Sequence, residues 1–348
     1  MRLEAIPRPS PLRRFGLPVL ALVLTFVVGG FLALAAGADP FATFGLIVKG
    51  AVGTKFALLE TLNRATPLIF TGLAVAVAFR AKLWNIGAEA QLYAGALATV
   101  IVGTGLGLPG WMLIPLMAVA AVVAGAVVLL GPVLLKTRLG VDEVVTTLLF
   151  NFVMILFVSM LLEGPLKDPM GMGWPKSAPI PKDARLPRLV EGLRLHWGFG
   201  LAILSAVAVW VMQAKTTLGY EIRAVGQNAE AAAFAGIPVG RVMVKTALIS
   251  GGLAALAGFS EVAGLRGNLT LDVSPGFGYT GIIVAMLALL HPLGVVGTAL
   301  FVAGVFVGAD SMSRAAEVPT YIADILVAAA LLFMVLALAL TRFRMVRG

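Results

Sequence analysis

Trp111–Leu135 reads WMLIPLMAVAAVVAGAVVLLGPVLL, a run without one charged side chain. As a helix rising about 1.5 Å per residue, it exceeds the roughly 30 Å hydrocarbon core of a bilayer. Phe15–Ala36 and Ile322–Leu340 are comparable runs. Over 348 residues the chain is 60% apolar and 12% charged, with a mean hydropathy of +1.01. That leaves too little polar surface for a soluble globule. A transmembrane barrel would show short alternating segments instead, so the sequence predicts an all-α polytopic membrane protein.

Ten spans are expected, near 16–36, 56–79, 85–103, 111–135, 143–162, 198–214, 242–264, 276–290, 293–309 and 321–341. Spans three and eight carry glycines and polar residues, which marks them as broken or re-entrant. The first run lacks a small-residue cleavage site and reads as a span rather than a removable signal. Orientation follows the basic residues. With the N-terminus inside, the inner segments hold Arg2, Arg8, Arg13, Arg14, Arg80, Lys82, Lys136, Arg138, Lys215, Arg223, Arg241, Lys245, Arg342, Arg344 and Arg347, more than half of the 26 Lys and Arg. Most of the remainder lie in the long loop 163–197, which carries little topological weight and is expected outside. Trp84, Trp111 and Trp197 fall at span ends, where amphipathic rings sit.

Several chemistries find no support. A net charge of +9 follows the span ends and forms no basic face interleaved with aromatics, which argues against nucleic acid. Cysteine is absent, which removes disulfides, thiolate metal sites and cysteine nucleophiles. His196 and His291 stand at span boundaries without a second ligand at metal spacing and read as interfacial or turn residues. No G-x-x-x-x-G-K-[ST] loop is present, so any ATP must be handled by another chain. Gly276-Phe-Gly278-Tyr-Thr-Gly281 matches a dinucleotide pattern but lacks the preceding strand and the following acid. Its glycines instead suit the tight entry of a half-helix into the membrane. The Gly304-x-x-x-Gly308 spacing allows close helix packing, chiefly internal. No catalytic constellation or cofactor motif emerges, and the chain reads as a non-enzyme.

Polar residues within apolar runs face protein or water. Glu60 and Arg64, four apart in acid-first order, suit a self-neutralising pair with Asn63 on the same turn. Asn85, Glu89 and Gln91 open the third span and give one helical face polar character; Asn151 lies one turn beyond Thr146 and Thr147. Asn85, Glu89, Gln91 and Asn151 are therefore candidates to line a translocation pathway, the alternative being interhelical hydrogen bonding. Glu261 nears the outer end of the seventh span.

Between two apolar runs lies the polar island Gly219–Arg241, GYEIRAVGQNAEAAAFAGIPVGR. Asn228 is placed to cap a helix, Glu230 to sit in its first turn, Ala231 and Ala232 to propagate it, and Gly236 then Pro238 to stop it. So short a helix is marginal alone, which suggests docking against another protein at the inner face.

Thr66–Leu73 (TPLIFTGL), Leu83–Gln91 (LWNIGAEAQ), Gly140–Asn151 (GVDEVVTTLLFN), Gly278–Ala285 (GYTGIIVA) and His291–Gly294 (HPLG) together resemble bacterial ABC-importer permeases of the ribose/branched-chain type, in the form seen in nucleoside and simple-sugar permeases. His291 departs from the Asn more common there. The resemblance implies a permease subunit in a bacterial inner membrane, paired with a second similar permease, cytoplasmic ABC ATPase subunits and an extracytoplasmic substrate-binding lipoprotein. It also implies that Asn228, Glu230, Ala231, Ala232 and Gly236 form the coupling helix, with Glu230-Ala231-Ala232 similar to an EAA-type core. Nucleosides are the expected cargo, with simple sugars as the alternative. A self-sufficient secondary carrier is the competing class, because helix breaks and midplane polar residues occur there too.

The orientation has a direct check. Single cysteines placed at Lys176 and at Asn228 in this cysteine-free chain should label oppositely with an impermeant reagent in intact cells, only the first reacting. Equal labelling contradicts the assigned topology.

Overall fold

The computed structural model describes residues 2–5, 10, 16–316 and 320–346. Arg8, Arg13, Arg14, Phe15 and Arg347, named above for orientation or the first span, lie outside the described residues. In chain order the elements are β1 (Arg2–Ala5), α1 (Leu17–Ala35), α2 (Pro40–Val52), α3 (Lys55–Arg80), α4 (Ala88–Gly105), α5 (Gly110–Leu139) and α6 (Glu143–Glu163). Then follow α7 (Gly198–Lys215), α8 (Thr217–Gln227), α9 (Ala229–Phe234), α10 (Val239–Phe259), α11 (Phe277–Leu287), α12 (Pro292–Ala316), α13 (Tyr321–Arg342) and β2 (Phe343–Val346). Each of the ten expected spans falls on one of these helices. Among the described residues six, namely α3, α5, α6, α7, α10 with its continuation to Arg266, and α12, are long and apolar enough to cross a membrane, or seven if the bent pair α1–α2 makes one span.

The chain forms two compact units, Met1–Thr61 with Phe301–Gly348, and Leu62–Leu300. In the first, α1 packs along α13, and β1 pairs antiparallel with β2, Arg2 opposite Val346. The axis turns 112° between α1 and α2. Gly37, at φ +78°, makes the bend, and the Asp39 carboxylate accepts from the Phe41 amide to start α2 with Pro40 in its first turn. Helix α2 falls between the first two expected spans and has no counterpart among the sequence expectations. Ile47, Ala309, Met312, Ile322 and Leu326 form the core of this unit. Gly308 sits so close to Ile47 that a side chain there would overlap the α2 backbone. The Gly304–Gly308 stripe thus serves internal packing, as its spacing suggested.

The second unit is built on α4, α5 and α10, which pack mutually. Small residues let the backbones meet: Gly125 faces Gly251, and Gly95 faces Ala255. Lipid tails are as apolar as Leu, so close van der Waals contact between helices replaces hydrophobic exclusion as the driving force. Helix α11 has 11 residues, about 16 Å of helix, and is a half-helix, in agreement with the expected weak eighth span. Helix α12 begins at Pro292, and the preceding His291 Nδ1 accepts from the Gly294 amide at 3.3 Å. His291 thereby does at the N-cap what an Asn would do.

Residues 164–197 are tied to the exit of α10 by backbone bonds from Ser177 to Leu269, Ile180 to Gly267 and Leu186 to Ala263, each 2.8 or 2.9 Å. His196 fastens the far end. Its side chain is buried against Gly198 and Gly264, both too close to bear a side chain, and its Nδ1 accepts from the Gly198 amide at 3.1 Å. The imidazole is therefore neutral, and burial pushes its pKa down from 6.5 to about 4. The folded chain resists a proton that the unfolded chain accepts, so this contribution is present above pH 6.5 and is lost between pH 6.5 and 4. In detergent the melting temperature should fall across that window, and by less in a His196→Asn variant than in wild type. Identical pH profiles for the two proteins contradict this.

Candidate functional site

Helix α3 stops at Arg80, and α4 starts only at Ala88. The irregular stretch between them must pair its backbone groups within the protein. One face of α6 supplies the partners at successive turns. Glu143 Oε1 accepts from Trp84 N at 3.3 Å, Thr147 Oγ1 from Ile86 N at 3.2 Å, and Asn151 Oδ1 from Ala90 N at 2.9 Å. Asn151 Nδ2 donates in turn to Ile86 O and to Tyr279 Oη, both 3.0 Å. Lys136 from α5 pairs with Glu143. Helix α6 is set to begin at this point because Gly140, at φ +68°, closes α5 and Asp142 caps α6 through the Val144 amide at 2.7 Å.

On the other side of the break, Asn85 and Gln91 exchange two amide bonds of 2.9 and 2.8 Å. Asn85 Nδ2 also donates to Ser250 Oγ at 3.0 Å, and Ser250 donates to Ala74 O at 2.7 Å, joining α10 and α3. Glu89 Oε2 accepts from the Gly278 amide at 2.6 Å in the first turn of α11, where a carboxylate is favoured by the exposed amides and the helix dipole. Gly276, at φ +90°, makes the tight entry, and Gly278 approaches Glu89 so closely that a side chain would not fit. The Arg64 guanidinium lies 5.9 Å from the centre of the Phe277 ring beside this entry. Asn85, Glu89, Gln91 and Asn151 are all at most 2% exposed. The four sequence candidates thus come together around one break, each hydrogen-bonded to protein. Tyr279, with 37% exposure, reaches the surface, as does Trp84 at 42%.

The island Gly219–Arg241 folds as two helices. Thr216 caps α8 through the Gly219 amide. Asn228 Oδ1 accepts from Ala231 N at 3.0 Å and caps α9, with Glu230 in the first turn. Gly236 stands at φ +84°, while Ile237 N returns to Ala232 O and Gly236 N to Ala233 O, both 3.0 Å. That double bond pattern with a left-handed glycine is a Schellman stop. Ala232 is buried, whereas Phe234 is 97% exposed. The segment therefore presents one aromatic outward from an otherwise small helix.

At the far end of α10 a polar cleft of about 550 Å³ is lined by residues including Arg188, Arg194, Arg266, Asn268, Thr270 and Asp272. Hydrogen bonding to Arg266, whose Nη1 lies 2.8 Å from Oδ2, holds the Asp272 carboxyl below its usual range. Among the described residues no group of His, Asp and Glu is arranged to hold a metal ion.

The sequence reading missed Ser250, Tyr279 and Glu143 in this network. Ser250 and Tyr279 sit in apolar helices and carry no local signal. Glu143 did have one, since Glu143, Thr147 and Asn151 recur every four residues on a helix already expected.

Residues 57–336 match the family model described as branched-chain amino acid transport system, permease component. The glucose ABC transporter permease protein TsgB13 of Haloferax volcanii is 38% identical over 95% of this chain and 89% of its own length. The guanosine ABC transporter permease protein NupP of Bacillus subtilis is 34% identical over 91% of each. The nucleoside ABC transporter permease protein NupB of Lactococcus lactis is 30% identical over 92% of this chain and 90% of its own length. A multi-helix membrane unit broken at α3–α4, a half-helix at α11 and relatives of this kind over nearly the whole chain have one reading: the protein belongs to the branched-chain amino acid transport system permease family and is a membrane subunit of ABC-transporter type.

Proposed function

We propose that the chain is the membrane-spanning subunit of an ATP-driven importer for nucleosides in a bacterial inner membrane. It would work beside a second similar permease, with ATP hydrolysed on separate cytoplasmic subunits and cargo delivered by an extracytoplasmic binding lipoprotein. The observation that carries this reading is the capped helix Ala229–Phe234 with its outward Phe234. A six-residue helix gains little stability alone, and an exposed aromatic at its end suits a pocket on a partner. Asn228, Glu230, Ala231, Ala232 and Gly236 then form the coupling segment. Helix α4, with Asn85, Glu89 and Gln91, and Asn151 of α6 brace the break beside the pathway rather than line it, while Tyr279 reaches toward it.

The basic cleft fits the same scheme. Three arginines and one carboxylate leave it positive, which favours acidic side chains on the delivering protein. For the cargo, the Gly140–Asn151 stretch and the long loop 164–194 support nucleosides. Simple sugars are retained as the second reading, because TsgB13, named for glucose, shares 38% of its residues over 95% of this chain.

Three outcomes test the proposal. Purified with its neighbouring ATPase, permease and binding protein, the complex should raise its ATPase rate when a nucleoside-loaded binding protein is added. A response to pentose or hexose with none to any nucleoside overturns the cargo assignment. Charge reversal at Arg188 and Arg194 together should weaken stimulation by the loaded binding protein and leave basal hydrolysis intact; unchanged stimulation removes the cleft from the docking surface. Gly236→Val forces a β-branched residue into a left-handed backbone at about 1 kcal/mol or more. Glu230→Lys reverses a favourable helix-terminus charge worth a few tenths to about 1 kcal/mol. Both variants should insert normally yet lose uptake through weak ATPase association or uncoupled hydrolysis. Wild-type uptake with a stably bound ATPase in both contradicts the coupling role and favours a secondary carrier.

A further inference from the structure

Arg80 joins three parts of the unit Leu62–Leu300. Its carbonyl oxygen lies so close beneath Gly226 of α8 that a side chain on Gly226 would overlap it. Its Nε donates to Leu290 O at 3.2 Å, 210 positions along the chain. Leu290 belongs to the turn that leaves α11 and enters α12, whose far neighbour, His291, caps α12.

Both turns that meet at Arg80 hold backbones that side chains disfavour. Among the described residues only Lys82, Met172, Leu289 and Leu290 are non-glycine residues with positive φ. Three of these four flank Arg80 or its acceptor: Lys82 at 53°, Leu289 at 53° and Leu290 at 59°. Bulky residues occupy this region only where the surroundings impose it, and such positions gather at switch regions.

Taken along the chain of contacts, α8 rests on the end of α3, with no room for a side chain between Gly226 and Arg80. Arg80 passes that position to the end of α11, and Glu89 holds the other end of α11 at Gly278. We propose that Arg80 is a positioning residue that transmits movement of the docking segment to the half-helix α11, and so couples hydrolysis to opening of the pathway. This rests on the importer reading above. Gly226 is the bearing surface of the relay, and the Leu289–Leu290 turn is its compliant element.

The test uses the complete complex, with its ATPase and binding protein, in proteoliposomes, and reads cargo transported per ATP hydrolysed. Arg80→Met keeps the apolar stem and removes the donor; Arg80→Lys restores a donor at nearly the same reach. In Arg80→Met, the complex should assemble and hydrolysis should still respond to loaded binding protein, while cargo per ATP falls about tenfold. Arg80→Lys should recover a substantial part of that loss. Unchanged cargo per ATP in Arg80→Met overturns the proposal, as does a parallel fall in hydrolysis and uptake, which is the mark of a merely structural residue. If Arg80→Met does not assemble, Leu290→Gly decides. It relaxes the turn while leaving Arg80 in place, and it should also lower cargo per ATP; an unaltered ratio overturns the relay. Absence of ATP-coupled uptake in the wild type would sink the importer reading itself, a result separable from failure of the relay alone.

Discussion

A chain that leaves its helix where water does not reach must find hydrogen-bond partners in the protein for its freed backbone groups. The break between α3 and α4 is where this constraint bears hardest. Its amides at Trp84 and Ile86, and that of Ala90 in the first turn of α4, are met by Glu143, Thr147 and Asn151, set at one-turn intervals along α6. An unmet buried amide or carbonyl costs on the order of 1–3 kcal/mol, so the arrangement of α6 against α4 is fixed by these side chains as much as by packing.

Once the break is held, the half-helix follows. Glu89 is carried by the first turn of α4 and reaches the first turn of α11, so the position of α4 sets where α11 begins. Asn151 reaches the same helix through Tyr279. Asn85 and Ser250 tie the opposite side of the break to α10 and α3, where glycine contacts already hold α10 against α5. The result is a compact unit with a short helix, α11, held at both ends by Glu89 and Arg80.

Much of this was legible in the chain. Long apolar runs fixed α5 and α6, because hydropathy over about 20 residues is a local property. The caps were equally local: Asn228, Glu230 and Gly236 take the positions that their side chains and backbone preferences dictate. Glycine spacing at Gly276–Gly281 correctly marked a tight helix entry. Helix α2 escaped because it follows a bend and is too short to register as a span. Asn85, Glu89, Gln91 and Asn151 were visible as polar residues in apolar surroundings, but whether they faced water or protein depended on contacts as far as 189 positions apart. Ser250 and Arg80 owe their roles entirely to such distant partners, and no local pattern announces them.

The most direct test of the brace is Asn151→Leu, which keeps the side-chain volume and removes its bonds to Ala90, Ile86 and Tyr279. Measured by thermal or denaturant unfolding in detergent, the variant is expected to lose about 2 kcal/mol or more of stability, since two buried backbone groups lose their partner. A variant as stable as wild type, altered only in transport kinetics, would contradict the brace and return Asn151 to the lining of an aqueous pathway.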